Sequence, residues 1–318
     1  MESSYDEFLS HLESRSPWVL ALYKETGISS FDLIRKLKKI IPRNLQRKIG
    51  HLGTLDPFAD GIMLITGNGA SRLQDFSHQY LYKKYLAQGV FGIKSNTGDC
   101  TGELSEGRKL NSIPQKENFE QELYRKFSPS YMQSTPMFSS AKHKGKNLYE
   151  YAREGIQIEK PPVRRWISSI EVSELGLEQM TFSANVGGGT YIRQLFCDIA
   201  DCLGADGHLS ALKRTQIGNV HVQDIESCQF VDELRGFLVE LDDLLPFNFS
   251  KVNTEQLKKL RNGHSVKIEN IELSDSLAVP ATSKYIWLFS DNESQKGPLC
   301  LAELTGKMAK PFINFAAG

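Results

Sequence analysis

The chain has 318 residues, 40% of them hydrophobic and 24% charged, with 38 basic side chains balanced by 38 acidic ones. Those values fit a folded, water-soluble protein of one large domain plus a small one, and the apolar runs are too short to span a bilayer. The five cysteines (Cys100, Cys197, Cys202, Cys228 and Cys300) are odd in number and form no C-x-x-C pair, which argues against a disulfide framework or zinc site and for a reducing, cytoplasmic setting.

Residues 1–16 are polar and slightly acidic, without the basic start and apolar centre of a secretory signal, and are expected to form a tail or short helix. Residues 18–23 (WVLALY) predict a first strand. A helix then starts at Ser29-Ser30, with Asp32 placed as in a capping box. Its apolar stripe is Leu33, Ile34, Leu37, Ile40 and Ile41, and Pro42 stops it. Residues 35–48 carry seven basic side chains and no acid, so Lys36, Lys39, Arg43 and Lys48 are candidate phosphate contacts. Residues 80–93 alternate as a strand does. Residues 166–175 and 180–186 read as two more strands joined near Gly176, and Gly187-Gly188-Gly189 breaks the second. A helix comes next over 190–203 and is ended by Gly204. Residues 142–146 and 160–165 are two further basic spots. Residues 246–250 suggest a linker, 257–263 a short helix, and 284–290 and 299–304 short strands. The expected class is α+β, a mixed or antiparallel sheet with helices, divided into a catalytic unit at 17–245 and a small β-rich unit at 251–316.

Three segments carry candidate chemistry. In Gly50-His51-Leu52-Gly53-Thr54-Leu55-Asp56-Pro57-Phe58-Ala59-Asp60-Gly61, Pro57 pushes Asp56 out of the helical region, and Gly53 and Gly61 allow another backbone to come close. A carboxylate fixed in an open loop suits a nucleophile; an ordinary Asp-Pro turn is the other reading. In Gly187-Gly188-Gly189-Thr190-Tyr191-Ile192-Arg193, the arginine falls in the first turn of a helix, against the helix dipole. A buried carboxylate nearby would relieve that misfit, Asp56 being one; otherwise the arginine is exposed. At Tyr82-Lys83-Lys84-Tyr85 a tyrosine either stacks on a base or belongs to the core.

Taken together, these segments resemble the TruB family of tRNA pseudouridine synthases, which modify uridine 55 of the T loop. The resemblance runs over roughly residues 18–222. The segment at 50–61 is similar to the family's G-H-x-G-x-L-D-P-x-A-x-G. Lys84-Tyr85 resembles its K-x-Y strand, and Thr97-Gly98-Asp99-Cys100-Thr101-Gly102 its T-x-D-x-x-G loop. Residues 136–155 resemble its P-x-[FY]-S-A-x-K-x-x-G-x-x-x-Y-x-x-A-R-x-G segment; 189–193 match G-T-Y-I-R and 212–218 match L-x-R-T-x-x-G. By position, the resemblance implies that Asp56 is the nucleophile, Arg193 its partner and Tyr85 the ring that stacks on the target base. It also implies that Tyr191, Leu212, His51 and Lys142 bind substrate. Where the family has D-K-P, this chain has Tyr23-Lys24-Glu25, and Thr135-Pro136 replaces the usual P-P.

The resemblance further implies a flipped T-loop uridine, no metal and no cofactor, a small PUA-like unit at the C-terminal end, and a monomer that acts on the T-arm of tRNA without guide RNA or membrane. A non-catalytic tRNA-binding or folding module of the same fold is the alternative. A nucleotide-binding reading of Gly67-x-Gly69 or the triple glycine lacks the G-K-[ST] that would support it.

Overall fold

The computed structural model describes residues 4–273, 283–292 and 297–315; residues 1–3 of the expected tail and residues 274–282, 293–296 and 316 of the expected C-terminal unit lie outside these. One large mixed sheet organises most of the chain. Its strands lie in the order Gln229–Val231, Leu234–Val239, Trp18–Lys24, Asp60–Gly67, Gly207–Ile217, Lys83–Phe91, Gln179–Val186, Val163–Leu175 and Ser130–Gln133. Neighbours along this path are antiparallel, except that Asp60–Gly67 and Gly207–Ile217 run parallel, with Lys213 opposite Asp60 and Arg214 opposite Gly61.

The centre of the sheet is covered on both faces, which is why Trp18–Lys24 and Asp60–Gly67 read as near-continuous apolar runs. Trp18, Leu20, Leu22, Met63 and Ile65 point to one side and pack with Leu33, Ile34 and Leu37 of the helix Ser30–Ile40. Val19, Ala21, Ile62 and Leu64 point to the other and join Phe76, Phe247 and Trp287. Successive strand residues alternate between faces, so two short strands serve two cores. The helix Ser4–Ser14 seals the first core: Phe8 is fully buried and meets the Trp18 ring edge-on at 4.9 Å. Ser29 and Asp32 form the reciprocal capping box that starts Ser30–Ile40.

Asp60–Gly67 and Gly207–Ile217, both central, are not anticipated from sequence pattern. Their parallel junction needs a glycine. Gly61 has φ +110°, and a Cβ there would lie 2.3 Å from the backbone oxygen of Arg214. The strand expected over 80–93 is Lys83–Phe91, preceded by the helix Gln74–Tyr80. The helix expected over 190–203 is Ile192–Cys202.

A second sheet of five strands lies in the C-terminal part, ordered Asn248–Val252, Tyr285–Ser290, Cys300–Thr305, Met308–Asn314 and Val266–Lys267. Residues 246–250 are not the free linker that their composition suggests. Phe247 is buried between Phe76, Tyr80 and Tyr285, and Trp287 donates its Nε1–H to the Leu245 carbonyl at 2.7 Å. Apolar side chains from both sheets share that core, so the five-stranded sheet packs against the large one.

Candidate active site

The segment from Gly53 to Ala59 leaves the short strand Gly50–His51 and enters Asp60–Gly67 with no regular structure of its own. Contacts from four places hold it instead. Arg214, fully buried, donates from Nη2 to the Gly53 carbonyl, from Nη1 to that of Thr54 and from Nε to that of Ile62, at 3.3, 3.2 and 2.7 Å. The Ser30 hydroxyl both accepts from Leu55 N–H and donates to the Leu55 carbonyl. Gly27 N–H donates to Pro57 O at 2.8 Å. Lys24, also fully buried, donates to the carbonyls of Ala59 (2.6 Å), Ile28 (2.7 Å), Glu25 (3.0 Å) and Pro57 (3.4 Å). Burial pushes the Lys24 ammonium down to about 8. A loop whose carbonyls at Gly53, Thr54, Leu55, Pro57 and Ala59 are all bonded has little freedom left, and its one outward carboxylate is held in place before any ligand arrives.

That carboxylate is Asp56. Arg193 donates to it from Nε at 2.8 Å and from Nη2 at 3.3 Å. The guanidinium is buried, whereas the Asp56 side chain remains 39% exposed, so the pair is open on one side only. Arg193 spends its other donors on the Phe138 carbonyl (2.8 Å) and on the Thr97 carbonyl. Its Nε also lies 3.5 Å from Oδ2 of Asp99, a buried carboxylate that accepts from Thr97 Oγ1, Thr101 N and Thr101 Oγ1. The cation that is misplaced for the dipole of Ile192–Cys202 thus faces two acids, which compensates the misfit.

The remaining sequence candidates divide into two sets. Tyr85 and Leu212 are buried in one apolar cluster with Leu55 and Phe58 of the Asp56 loop. Tyr191 is the N-cap residue beside Arg193, its backbone bonded both ways to the buried Gln133 side chain at 2.9 Å. His51 stands at the start of the loop and accepts from Gly53 N–H through Nδ1; burial, and then the Arg214 charge, lower its affinity for a proton. Lys142 is exposed on the hairpin that comes after Phe138. Lys36, Lys39, Arg43 and Lys48 lie apart from this cluster, along the helix Ser30–Ile40 and the turn after it; Lys39, Arg43 and Lys48 are exposed and Lys36 half-buried. The exposed Phe31 ring, with the Arg35 guanidinium 5.5 Å from its centroid, shares that surface.

Lys24, Asp99 and Arg214 carry no signal of their own in the sequence, although each lies inside one of the motif segments. Nor does Lys83, which is buried beside Gly53, while Lys84 reaches the surface and pairs with Glu171. Burial, with Arg214 adding its charge, pushes the Lys83 ammonium down to about 7. An unfolded lysine holds its proton to about pH 10.4. Folding therefore gains stability as pH rises from about 7 toward that value, and carries the full penalty below 7. Lys83→Met should stabilise the protein most in acid. The advantage should shrink by up to about 1.4 kcal/mol per pH unit above neutrality. Urea melts of both proteins at acid, neutral and alkaline pH check this; a constant difference contradicts it.

The fold class is that of the pseudouridine synthase catalytic domain. The chain aligns with one chain of a Cbf5-Nop10-Gar1 complex at a TM-score of 0.64 and 18% identity, over 96% of this chain and 87% of that one. An H/ACA RNP bound to a substrate RNA containing 2′-deoxyuridine gives 0.62 and 17%, over 97% and 87%. At such identities the likeness concerns the fold. Residues 38–192 match the model of the TruB family pseudouridylate synthase N-terminal domain. The tRNA pseudouridine synthase B of Caldicellulosiruptor saccharolyticus is 35% identical over 262 residues, 81% of this chain and 88% of that protein. The enzymes of the same name from Clostridium tetani (31%, over 85% and 94%) and Protochlamydia amoebophila (39%, over 66% and 76%) are similar as well. The chain belongs to the TruB family of pseudouridine synthases.

Proposed function

We propose that this protein converts uridine 55 in the T loop of tRNA to pseudouridine, with Asp56 as nucleophile. Family membership supports pseudouridine synthesis in tRNA as the general activity. The observation that carries the finer reading is the Asp56–Arg193 pair, rigid beneath and open above. The target nucleotide leaves the RNA stack, at a cost of roughly a few kcal/mol, and its base stacks on Tyr85 against Leu212 and Tyr191. Asp56 acts at the ribose C1′ as the bond to uracil N1 breaks. The uracil turns while held, its C5 bonds to C1′ as the Asp56 carboxylate leaves that carbon, and the C5 proton leaves as N1 regains one. Atoms and electrons are conserved, so the isomerisation asks for neither oxidant nor reductant.

Lys142 and His51 hold the RNA near the pocket, and Lys36, Lys39, Arg43 and Lys48 hold phosphates. Affinity should therefore fall with salt. We read the protein as a cytoplasmic monomer that needs no guide RNA; the relatives at 31–39% identity that carry a tRNA-enzyme name support this over the assemblies that share its fold. Position-resolved mass mapping of a tRNA transcript after treatment tests the proposal. One pseudouridine, at uridine 55, is expected. Modification elsewhere would overturn the position, and none at all with bound RNA would favour a non-catalytic binding module.

A further inference from the structure

A second concave feature lies along the glycine run. It is a cleft of about 280 Å³ between the helix Gln74–Tyr80 and the strand Val163–Leu175, with His78, Tyr82, Arg164 and Trp166 on its walls. Such a volume is close to the lower bound of small-ligand sites, about 300 Å³. Two aromatic rings stand in water here. Trp166 is 52% exposed and Tyr82 43%, whereas Trp18 and Trp287 are buried. Arg164 is exposed and makes no ion pair or hydrogen bond among the described residues. Lys83 and Arg165 add positive charge around His78, and the Nε of Arg165 is buried without a partner. Asp75 is the single acid on the walls.

The cleft shares a chain segment with the site already described. Gly188 N–H donates to the His78 carbonyl at 3.3 Å, and a Cβ on Gly188 would lie 2.5 Å from His78 Cα. The same glycine run leads through Thr190 and Tyr191 to Arg193, so the residue whose guanidinium holds Asp56 is five positions on from Gly188. Even fully extended, five residues span at most about 18 Å. Exposed rings interleaved with unpaired cations are the chemistry that holds single-stranded nucleic acid: rings stack on bases of any identity and cations track the phosphates.

We propose that this cleft binds a second unpaired nucleotide of the RNA whose uridine reaches Asp56, with its base stacked on Trp166 beside Tyr82 and its phosphate on Arg164. The inference rests on the tRNA reading above. Loss of one base stack weakens binding by between about 5- and 150-fold. Trp166→Ala should raise KM and Kd for a T-arm stem-loop by a factor in that range with kcat unchanged, and Arg164→Gln should lower the salt slope of binding by about one unit.

The test titrates the Asp56→Asn protein with the stem-loop, following tryptophan fluorescence and, separately, a mobility shift. Trp166 is the exposed one of the three tryptophans, so quenching should track binding and vanish in Trp166→Phe, which keeps a ring in place. Binding without any tryptophan signal, and with unaltered affinity and salt slope in the Trp166 and Arg164 variants, would overturn this site and leave the tRNA reading intact. Absence of binding altogether would overturn both.

Discussion

The Asp56→Asn protein is expected to bind T-arm RNA within about threefold of wild type and to form pseudouridine at least about 10⁴-fold more slowly, the scale of loss seen when a nucleophile is removed. Asparagine keeps one oxygen for Arg193 and loses the negative charge. Arg193 retains Asp99 and the carbonyls of Thr97 and Phe138, so the loop should stay in place. Stability should fall by roughly 1–3 kcal/mol, the cost of one weakened charge-assisted bond. Single-turnover mass mapping and a binding assay on the same preparation separate chemistry from affinity. Turnover within tenfold of wild type would remove Asp56 from the mechanism.

Arg193→Met should combine the largest loss of stability with loss of activity. It leaves the buried Asp99 carboxylate without its cation, and breaking a buried pair from one side costs about 3–5 kcal/mol. It also frees the Asp56 side chain to turn, so activity should fall at least about 100-fold even where the protein remains folded. Arg193→Lys tells the two effects apart. A lysine supplies the charge and recovers much of the stability, yet it cannot reach Asp56, Asp99 and two carbonyls at fixed angles. Urea melts should rank Met below Lys below wild type, while activity stays low in both variants. A lysine variant with full activity would show that charge alone suffices.

What could be read from the chain was what lies close together along it. Asp56 stands out because Pro57 and two glycines surround it within a few residues. Arg193 stands out because a cation sits at the wrong end of a helix. Lys24 and Arg214 do not, because an ordinary charged residue acquires meaning only from the carbonyls that folding brings to it; for Arg214 these belong to residues as much as 161 positions away. The strand Gly207–Ile217 is hidden for the same reason: His208 and Arg214 are polar residues in buried positions, and they mask the alternation that marks a half-buried strand. Asp60–Gly67 is hidden oppositely, since burial on both faces leaves a run without period. The departure at Tyr23-Lys24-Glu25 also becomes intelligible. The Tyr23 hydroxyl bonds to Asp60, and the lysine between the two changed positions still grips the loop.

The parallel seam between Asp60–Gly67 and Gly207–Ile217 has a consequence for how the molecule comes to life. Arg214 and the Ile62 carbonyl it binds are 152 residues apart, and pairings of that span are closed late, after the entropy of a long intervening chain has been overcome. A ribosome that has made only the first two hundred residues has released every atom of the Asp56 segment but not the arginine that braces it. A chain that ends before Arg214 therefore lacks the side chain that braces this loop, and the carboxylate proposed as nucleophile is left with fewer bonds to hold its pose.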